Sequence, residues 1–196
     1  SEVTFVCILK ACGALKAIDK GQEIHARILM EGLLDKNDLV CTALIDMYAK
    51  CGAFSKAQGV LEKLTCPHVS SWNALISGFV DHGSYEEALW LSKYMQSEGI
   101  PPDDVTFVSI LKACGSIRAL DQGRLVHKQV KSFSKLETVM GNALMDMYVR
   151  CGNMKDAHEV FNELATHDSA SFDIMISGYS HNKQAHLVLE LLLYMD

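Results

Sequence analysis

Four basic side chains recur in register along the 196-residue chain: Lys10 and Lys112 each stand in Leu-Lys-Ala-Cys, and Lys50 and Arg150 each stand directly before Cys-Gly. Cations repeated at fixed places suit contact with the phosphates of a polyanion, where each one releases condensed counterions. The formal net charge of −6 argues on its face against such a partner. What matters is where the basic groups sit, and a basic stripe on one face is compatible with acidic residues such as Glu86, Glu87 and Glu159 elsewhere.

Other reactive side chains point to packing. No Cys-x-x-Cys occurs among the seven cysteines, and the His and Cys spacings fit no tetrahedral zinc set. Cys12, Cys114, Cys51 and Cys151 all recur before a glycine and read as small packing residues in a reducing compartment. His25 and His127 recur as a pair and read as packing or interface histidines. No nucleophile, base and orienting group converge, and no glycine-rich phosphate loop is present, so no enzyme, cofactor or metal site is expected. The most apolar window, Leu187–Leu193, is short and broken by Glu190, so no membrane partner is expected.

Register requires a repeating scaffold. Ala43–Gly52 returns as Ala143–Gly152 with seven of ten positions identical, and Val3–His25 returns as Val105–His127 with fourteen of twenty-three identical. Ser71–Gly78 likewise returns as Ser171–Gly178. Apolar residues fall at helical spacing, as in Ala43/Met47 and Leu44/Tyr48, with no strand-like alternation. Gly52, Gly83 and Gly152 each close an apolar stripe, and Ala57, Ala88 and Ala157 follow five residues later, where a small side chain lets two antiparallel helices approach. Gly21 and Gly123 serve that purpose in the other segments. The reading is an all-α chain of six helical hairpins at about 2–37, 38–68, 69–103, 104–137, 138–168 and an incomplete 169–196, in one array with no separating linker. No hairpin hides its own apolar face, so stacking into a right-handed solenoid is the physical solution. The chain starts and stops inside repeats, as a piece of a longer array would.

The alternation of unit lengths resembles the pentatricopeptide repeat proteins of the plant PLS type. The L-like units carry Val-Thr-Phe-Val-x-Ile-Leu-Lys-Ala-Cys-Gly from Val3 and Val105, and the S-like units carry Ala-Leu-Ile/Met-Asp-Met-Tyr-x-Lys/Arg-Cys-Gly from Ala43 and Ala143. The first P-like unit carries Ser-Trp-Asn-Ala-Leu-Ile-Ser-Gly-Phe from Ser71, and the third hairpin of each type set is the P-like one, the last of them incomplete. The resemblance implies sequence-selective binding of single-stranded RNA in a chloroplast or mitochondrion, serving C-to-U editing or other RNA processing. The zinc deaminase signature His-x-Glu…Cys-x-x-Cys, which some members of that type carry, is missing from this chain.

In that family the fifth and last residues of a unit face the base. Carried over, this implies Asn73 with Asp103 and Asn142 with Asp168 as U-preferring readers, an Asn amide offering both a donor and an acceptor to a pyrimidine edge. Thr42 with His68 is a third reader of uncertain base, because His68 departs from the expected Asp or Asn. Asp173 reads in the last unit, and Val6 and Val108 occupy the reading place of the L-like units, where no base edge can be hydrogen-bonded. The second residues, which clamp the base, are Val3, Leu39, Ser70, Val105, Val139 and Ala170, with Ser70 and Ala170 giving weak clamps. Lys10, Lys50, Lys112 and Arg150 would meet phosphate. The competing reading is a protein-interaction solenoid whose L-like units dock accessory editing factors. The apolar face of the Phe172–Met195 hairpin would also let such a piece self-associate.

Overall fold

The computed structural model describes residues 2–34, 37–133, 136–182 and 184–193. Among them the backbone forms twelve α-helices and no strand. In chain order these are α1 (Glu2–Ala14), α2 (Ile18–Met30), α3 (Asp38–Lys50), α4 (Phe54–Leu61), α5 (Val69–Asp81) and α6 (Tyr85–Ser97). They continue with α7 (Asp104–Ser116), α8 (Leu120–Phe133), α9 (Thr138–Arg150), α10 (Met154–Glu163), α11 (Ser169–His181) and α12 (Ala185–Leu193). Consecutive helices pair as hairpins. The short units are short in their second helix: α4 has 8 residues and α10 has 10, against 13 in α2 and α6 and 14 in α8.

Gly52, Gly83 and Gly152 end their helices with φ of 72°, 78° and 76°, a left-handed conformation that a side chain would disfavour. The first and fourth hairpins turn instead through Lys16 and Arg118, at φ of 53° and 55°. A non-glycine residue there gives up roughly 1–2 kcal/mol, which the surrounding packing must offset.

The chain forms two compact units, Ser1–Thr106 and Phe107–Asp196. In the first, α1 packs on α3 and α3 on α5, while α2 covers α3 and α4 covers α5. In the second, α9 packs on α11, and α8 and α10 pack against α9 and α11. Leu9, Leu44, Ile45, Met47, Leu75 and Ile76 are completely buried in the first unit, and Leu111, Leu144, Met145 and Met147 in the second. Ala57, Ala88 and Ala157 are also fully buried. Gly21 and Gly123 do permit a close approach, but to the following hairpin: a Cβ on either would lie 2.4 Å from the sulfur of Met47 or Met147. At the end of the chain Phe172 packs on Phe161 and His167, whereas Leu189 is exposed. Met195 lies outside the described residues.

One polar contact recurs between hairpins. His25 Nδ1 lies 2.9 Å from the Tyr48 hydroxyl, His127 Nδ1 2.8 Å from that of Tyr148, and His158 Nδ1 2.5 Å from that of Tyr179. Each joins a second helix to the next first helix. Burial raises all three phenols, Tyr148 to about 12, so they remain hydroxyls. Burial is also the main cause that holds His25 and His127 below the ordinary value of 6.5. The Nε2 atom of each is buried without a partner, so a proton there would leave an N–H facing no acceptor.

This packing sets two expectations. A Cβ at Gly78 would sit 2.4 Å from the Cβ of Ala49, whereas one at Gly59, inside α4, meets nothing within 4 Å. Gly78→Ala is therefore expected to destabilise the fold, about 1–3 kcal/mol of overpacking outweighing the roughly 1 kcal/mol of helix propensity that alanine adds. Gly59→Ala should stabilise it by about 0.5–1 kcal/mol; equal urea midpoints for the two variants would contradict the close α3–α5 approach. For the histidines, the unfolded chain takes up protons at a higher pH than the folded one, so stability is complete above about 6.5 and declines as pH falls below it. Urea titrations followed by circular dichroism should show that decline, and show it reduced in a His25→Phe/His127→Phe variant.

Candidate functional site

The N-terminal turns of the first helices bring together most of the polar groups that the sequence singled out. Asp103 immediately precedes α7, and its Oδ1 accepts the backbone N–H of Thr106 at 2.9 Å while its own N–H donates to the Thr106 hydroxyl at 3.1 Å. This reciprocal arrangement satisfies donors that a helix start leaves without partners. Asn73, one hairpin earlier in α5, joins the same group: its Nδ2 donates to Asp103 Oδ1 at 2.8 Å, and its Oδ1 accepts from the Thr106 hydroxyl at 2.6 Å.

The second unit rebuilds this group with other residues. Asp168 caps α11 in a capping box with Ser171, whose N–H donates to Asp168 Oδ1 at 2.8 Å. Asn142 Nδ2 donates to Asp168 Oδ1 at 3.0 Å, and Asn142 Oδ1 accepts from the Ser171 hydroxyl at 2.7 Å. Burial pushes the Asp103 carboxyl up, but the bonds from Thr106 and Asn73 more than offset it and hold the group below the ordinary carboxylate value. The bond from Asn142, with those from Ser171, holds Asp168 below it too. Both carboxylates are therefore ionised at neutral pH. An Asn amide carries two N–H donors and two acceptor sites. Each amide here has one of each engaged, leaving one donor and one acceptor. Asn73 is only 6% exposed, whereas Asn142 is half-buried and Asp168 and Asp173 are exposed.

The surroundings of Thr42 differ. Thr42 Oγ1 shares hydrogen bonds with Ser71 Oγ at 3.1 Å and Ser70 Oγ at 3.2 Å. His68 stands at the N-cap of α5 with extended backbone and makes no side-chain cap bond, so Thr42 is brought to Ser70 and Ser71 and not to His68. In the L-like units Asn37 caps α3 through the N–H groups of Leu39 and Val40 and donates to Glu2 at 2.5 Å, while Val6 and Val108 are half-buried.

At the second position of four first helices stand exposed apolar side chains: Val3 at 71%, Leu39 at 73%, Val105 at 54% and Val139 at 70%. Ser70 and Ala170, at the same position in the other two, are exposed as well. None is a staple buried against a neighbour.

The four cations lie on first helices, Lys10 and Lys112 exposed in α1 and α7. Lys50 and Arg150 are ion-paired one turn back, with Asp46 and Asp146, each at 2.7 Å. Their stems cross the preceding first helix, where a Cβ on Gly13 would lie 3.2 Å from Lys50 Cδ and one on Gly115 3.0 Å from Arg150 Cδ. The sequence reading missed these aspartates, although Asp-x-x-x-Lys/Arg is a helical i,i+4 spacing. It also missed the hydroxyls of Ser71, Thr106 and Ser171, the last two of which the spacing Asp-x-x-Ser/Thr signals as a capping arrangement, whereas His68 stands three residues before Ser71. A separate groove lined by Leu61, Trp72, Trp90 and Tyr94 and edged by Glu62 and Glu98 contains none of these residues.

Among the described residues, no His, Cys, Asp or Glu group is placed to hold a metal ion, and no helix is long and apolar enough to cross a membrane.

The model of the PPR repeat family matches residues 67–116, and that of the PPR repeat matches residues 39–66, 142–168 and 170–196, together well over half of the chain. Three pentatricopeptide repeat-containing proteins of Arabidopsis thaliana, the second named as chloroplastic and the third as mitochondrial, are 40%, 37% and 35% identical over 97% of this chain. The chain spans only about a quarter of their length, 26%, 26% and 27%. The fold is similar to that in the crystal structure of the pentatricopeptide repeat protein PPR10 in complex with an 18-nt psaJ RNA element, with a TM-score of 0.74 and 16% identity over 90% of this chain and 27% of that one. Repeat matches along the sequence, hairpins stacked first helix on first helix, and relatives aligned over nearly its whole length identify this chain as a member of the pentatricopeptide repeat family.

Proposed function

We propose that this chain binds single-stranded RNA, its hairpins presenting one base-reading place each, with Asn73/Asp103 and Asn142/Asp168 preferring U. The observation that carries this reading is the Asn–Asp pair built twice from different residues, each amide keeping one donor and one acceptor. Beside the reading places stand the exposed side chains of Val3, Leu39, Val105 and Val139, apolar surface against which a base can lie, with Ser70 and Ala170 as weaker clamps. Thr42, flanked by Ser70 and Ser71, and Asp173 are further readers, and His68 acts at most through the backbone it caps. Val6 and Val108 act as spacers. Lys10, Lys50, Lys112 and Arg150 meet phosphate, Lys50 and Arg150 by exchanging the carboxylates of Asp46 and Asp146 for it.

The alternation of long and short units supports reading the chain as of the PLS type, and on that reading the full protein specifies sites of C-to-U editing or other RNA processing. Chloroplast or mitochondrion is the proposed location, as in the names of two relatives. A second reading has its own support: Asp46 and Asp146 neutralise two of the cations, and the valines of the L-like units cannot read a base edge, which favours docking of a protein such as an accessory editing factor there.

Two measurements separate the readings. Asn73→Ala/Asp103→Ala should weaken binding roughly tenfold for RNA bearing U at one register and little for other bases there, in line with the ~1–3 kcal/mol carried by a two-bond base contact; equal losses for all four bases would reject the reader assignment. Lys50→Ala/Arg150→Ala should reduce affinity alike for all sequences and flatten the salt dependence, by about 0.7 in log–log slope for each phosphate no longer neutralised. No binding to any RNA even at low salt would favour the protein partner.

A further inference from the structure

We infer that Thr106 and Ser171 are positioning residues, which set the order in which the reading amides of Asn73 and Asn142 present their donor and acceptor. This rests on the RNA-reading proposal above and adds to it the step that makes such reading selective.

Each of these hydroxyls belongs to the third residue of a first helix and contacts the fifth residue of the preceding hairpin. Thr106 reaches Asn73, Ser171 reaches Asn142, and Ser71 reaches Thr42. All three are buried, at 0%, 0% and 1% exposure, so their hydrogen bonds cannot be handed to water. The sequence follows the same rule. Where the fifth residue is Val6 or Val108, the third residue of the next hairpin is the buried apolar Val40 or Met140; where it is polar, the third residue carries a hydroxyl. Polar is matched with polar and apolar with apolar at five successive seams.

The chemistry at the seam admits one amide orientation. A carboxylate only accepts, so the end of Asn73 facing Asp103 Oδ1 must be the NH2. The Thr106 hydroxyl accepts from the Asp103 N–H and has one proton to give; it is nearer to Asn73 Oδ1, at 2.6 Å, than to Asp103 Oδ1, at 2.9 Å. A reversed amide would turn NH2 groups toward a hydroxyl already holding a donor and a carbonyl toward a carboxylate. The bonds at Asn142, Asp168 and Ser171 repeat this pattern.

Orientation bears on which pyrimidine is admitted. Along its pairing edge uracil presents acceptor, donor, acceptor, and can meet an amide in either order. Cytosine presents donor, acceptor, acceptor, and can meet it in one order only. An amide held in the order that cytosine cannot meet accepts U and excludes C; an amide free to turn over accepts both.

The test uses Thr106→Val, which keeps the shape and removes the hydroxyl, and Thr106→Ser, which restores it. In the protein alone, nitrogen relaxation of the Asn73 side-chain amide should report a rigid NH2 in the wild type and in Thr106→Ser and a mobile one in Thr106→Val. An equally rigid NH2 in Thr106→Val overturns the inference whether or not RNA is bound. With RNA differing only by U or C at the responsive register, the U-to-C affinity ratio should fall at least about fivefold in Thr106→Val and recover in Thr106→Ser. An unchanged ratio in Thr106→Val also overturns it. A wild type that discriminates no base rejects the reading assigned to Asn73, and the relaxation result then still decides the positioning claim. Ser171→Ala, read at Asn142, repeats the experiment in the second unit should Thr106→Val not fold.

Discussion

No hairpin of this chain can bury its own apolar face, and that constraint governs everything built on it. A first helix such as α3 has Val40, Leu44, Ile45, Met47 and Ala49 at or near zero exposure because α1 lies on one side, α5 on the other and second helices behind. Where the Gly78 backbone meets Ala49, there is no room for a single added carbon. Repeats that share their core with a neighbour fold as an array, with stability carried by the interfaces.

The seam between hairpins also has to satisfy polar groups at each helix start. The capping aspartates do so for their own helix, and the hydroxyl three residues on closes the box. The side chain of the preceding hairpin then enters this group as a further partner. A device needed to start a helix thus becomes a means of orienting an amide across a repeat boundary. The His–Tyr pairs behind the first helices are the second polar tie between repeats, and the buried, unpartnered Nε2 atoms of His25 and His127 make two of these ties sensitive to protonation.

Charge is distributed by helix. On the second helices, bases such as Arg124 and Lys131 pair with Asp156 and Glu163 of a neighbouring second helix, at 2.9 Å and 2.8 Å. Exposed pairs of this kind contribute about 0–1 kcal/mol each, so they tune the surface more than they hold it. On the first helices, Lys50 and Arg150 are held by an aspartate of their own helix, which aligns the ammonium or guanidinium group without tying it to another repeat. The acidic total is therefore compatible with local basic positions.

By itself the sequence determined the helical hairpins, their number and most of their turns, because period, glycine and alanine spacing are local properties that each repeat restates. It also determined which residues occupy equivalent places, whereas the pairing of Asn73 with Asp103 and of Asn142 with Asp168 followed from the resemblance to the family. Only the tertiary structure decided what those places mean physically. Thr42 meets serines of the next hairpin instead of His68, Lys16 and Arg118 turn the chain where no glycine stands, and Gly21 makes room for Met47 of another hairpin. In each case the deciding partner or packing lies outside the local pattern, and the distance between two side chains across a seam depends on how closely two helices pack, which no spacing within one repeat encodes.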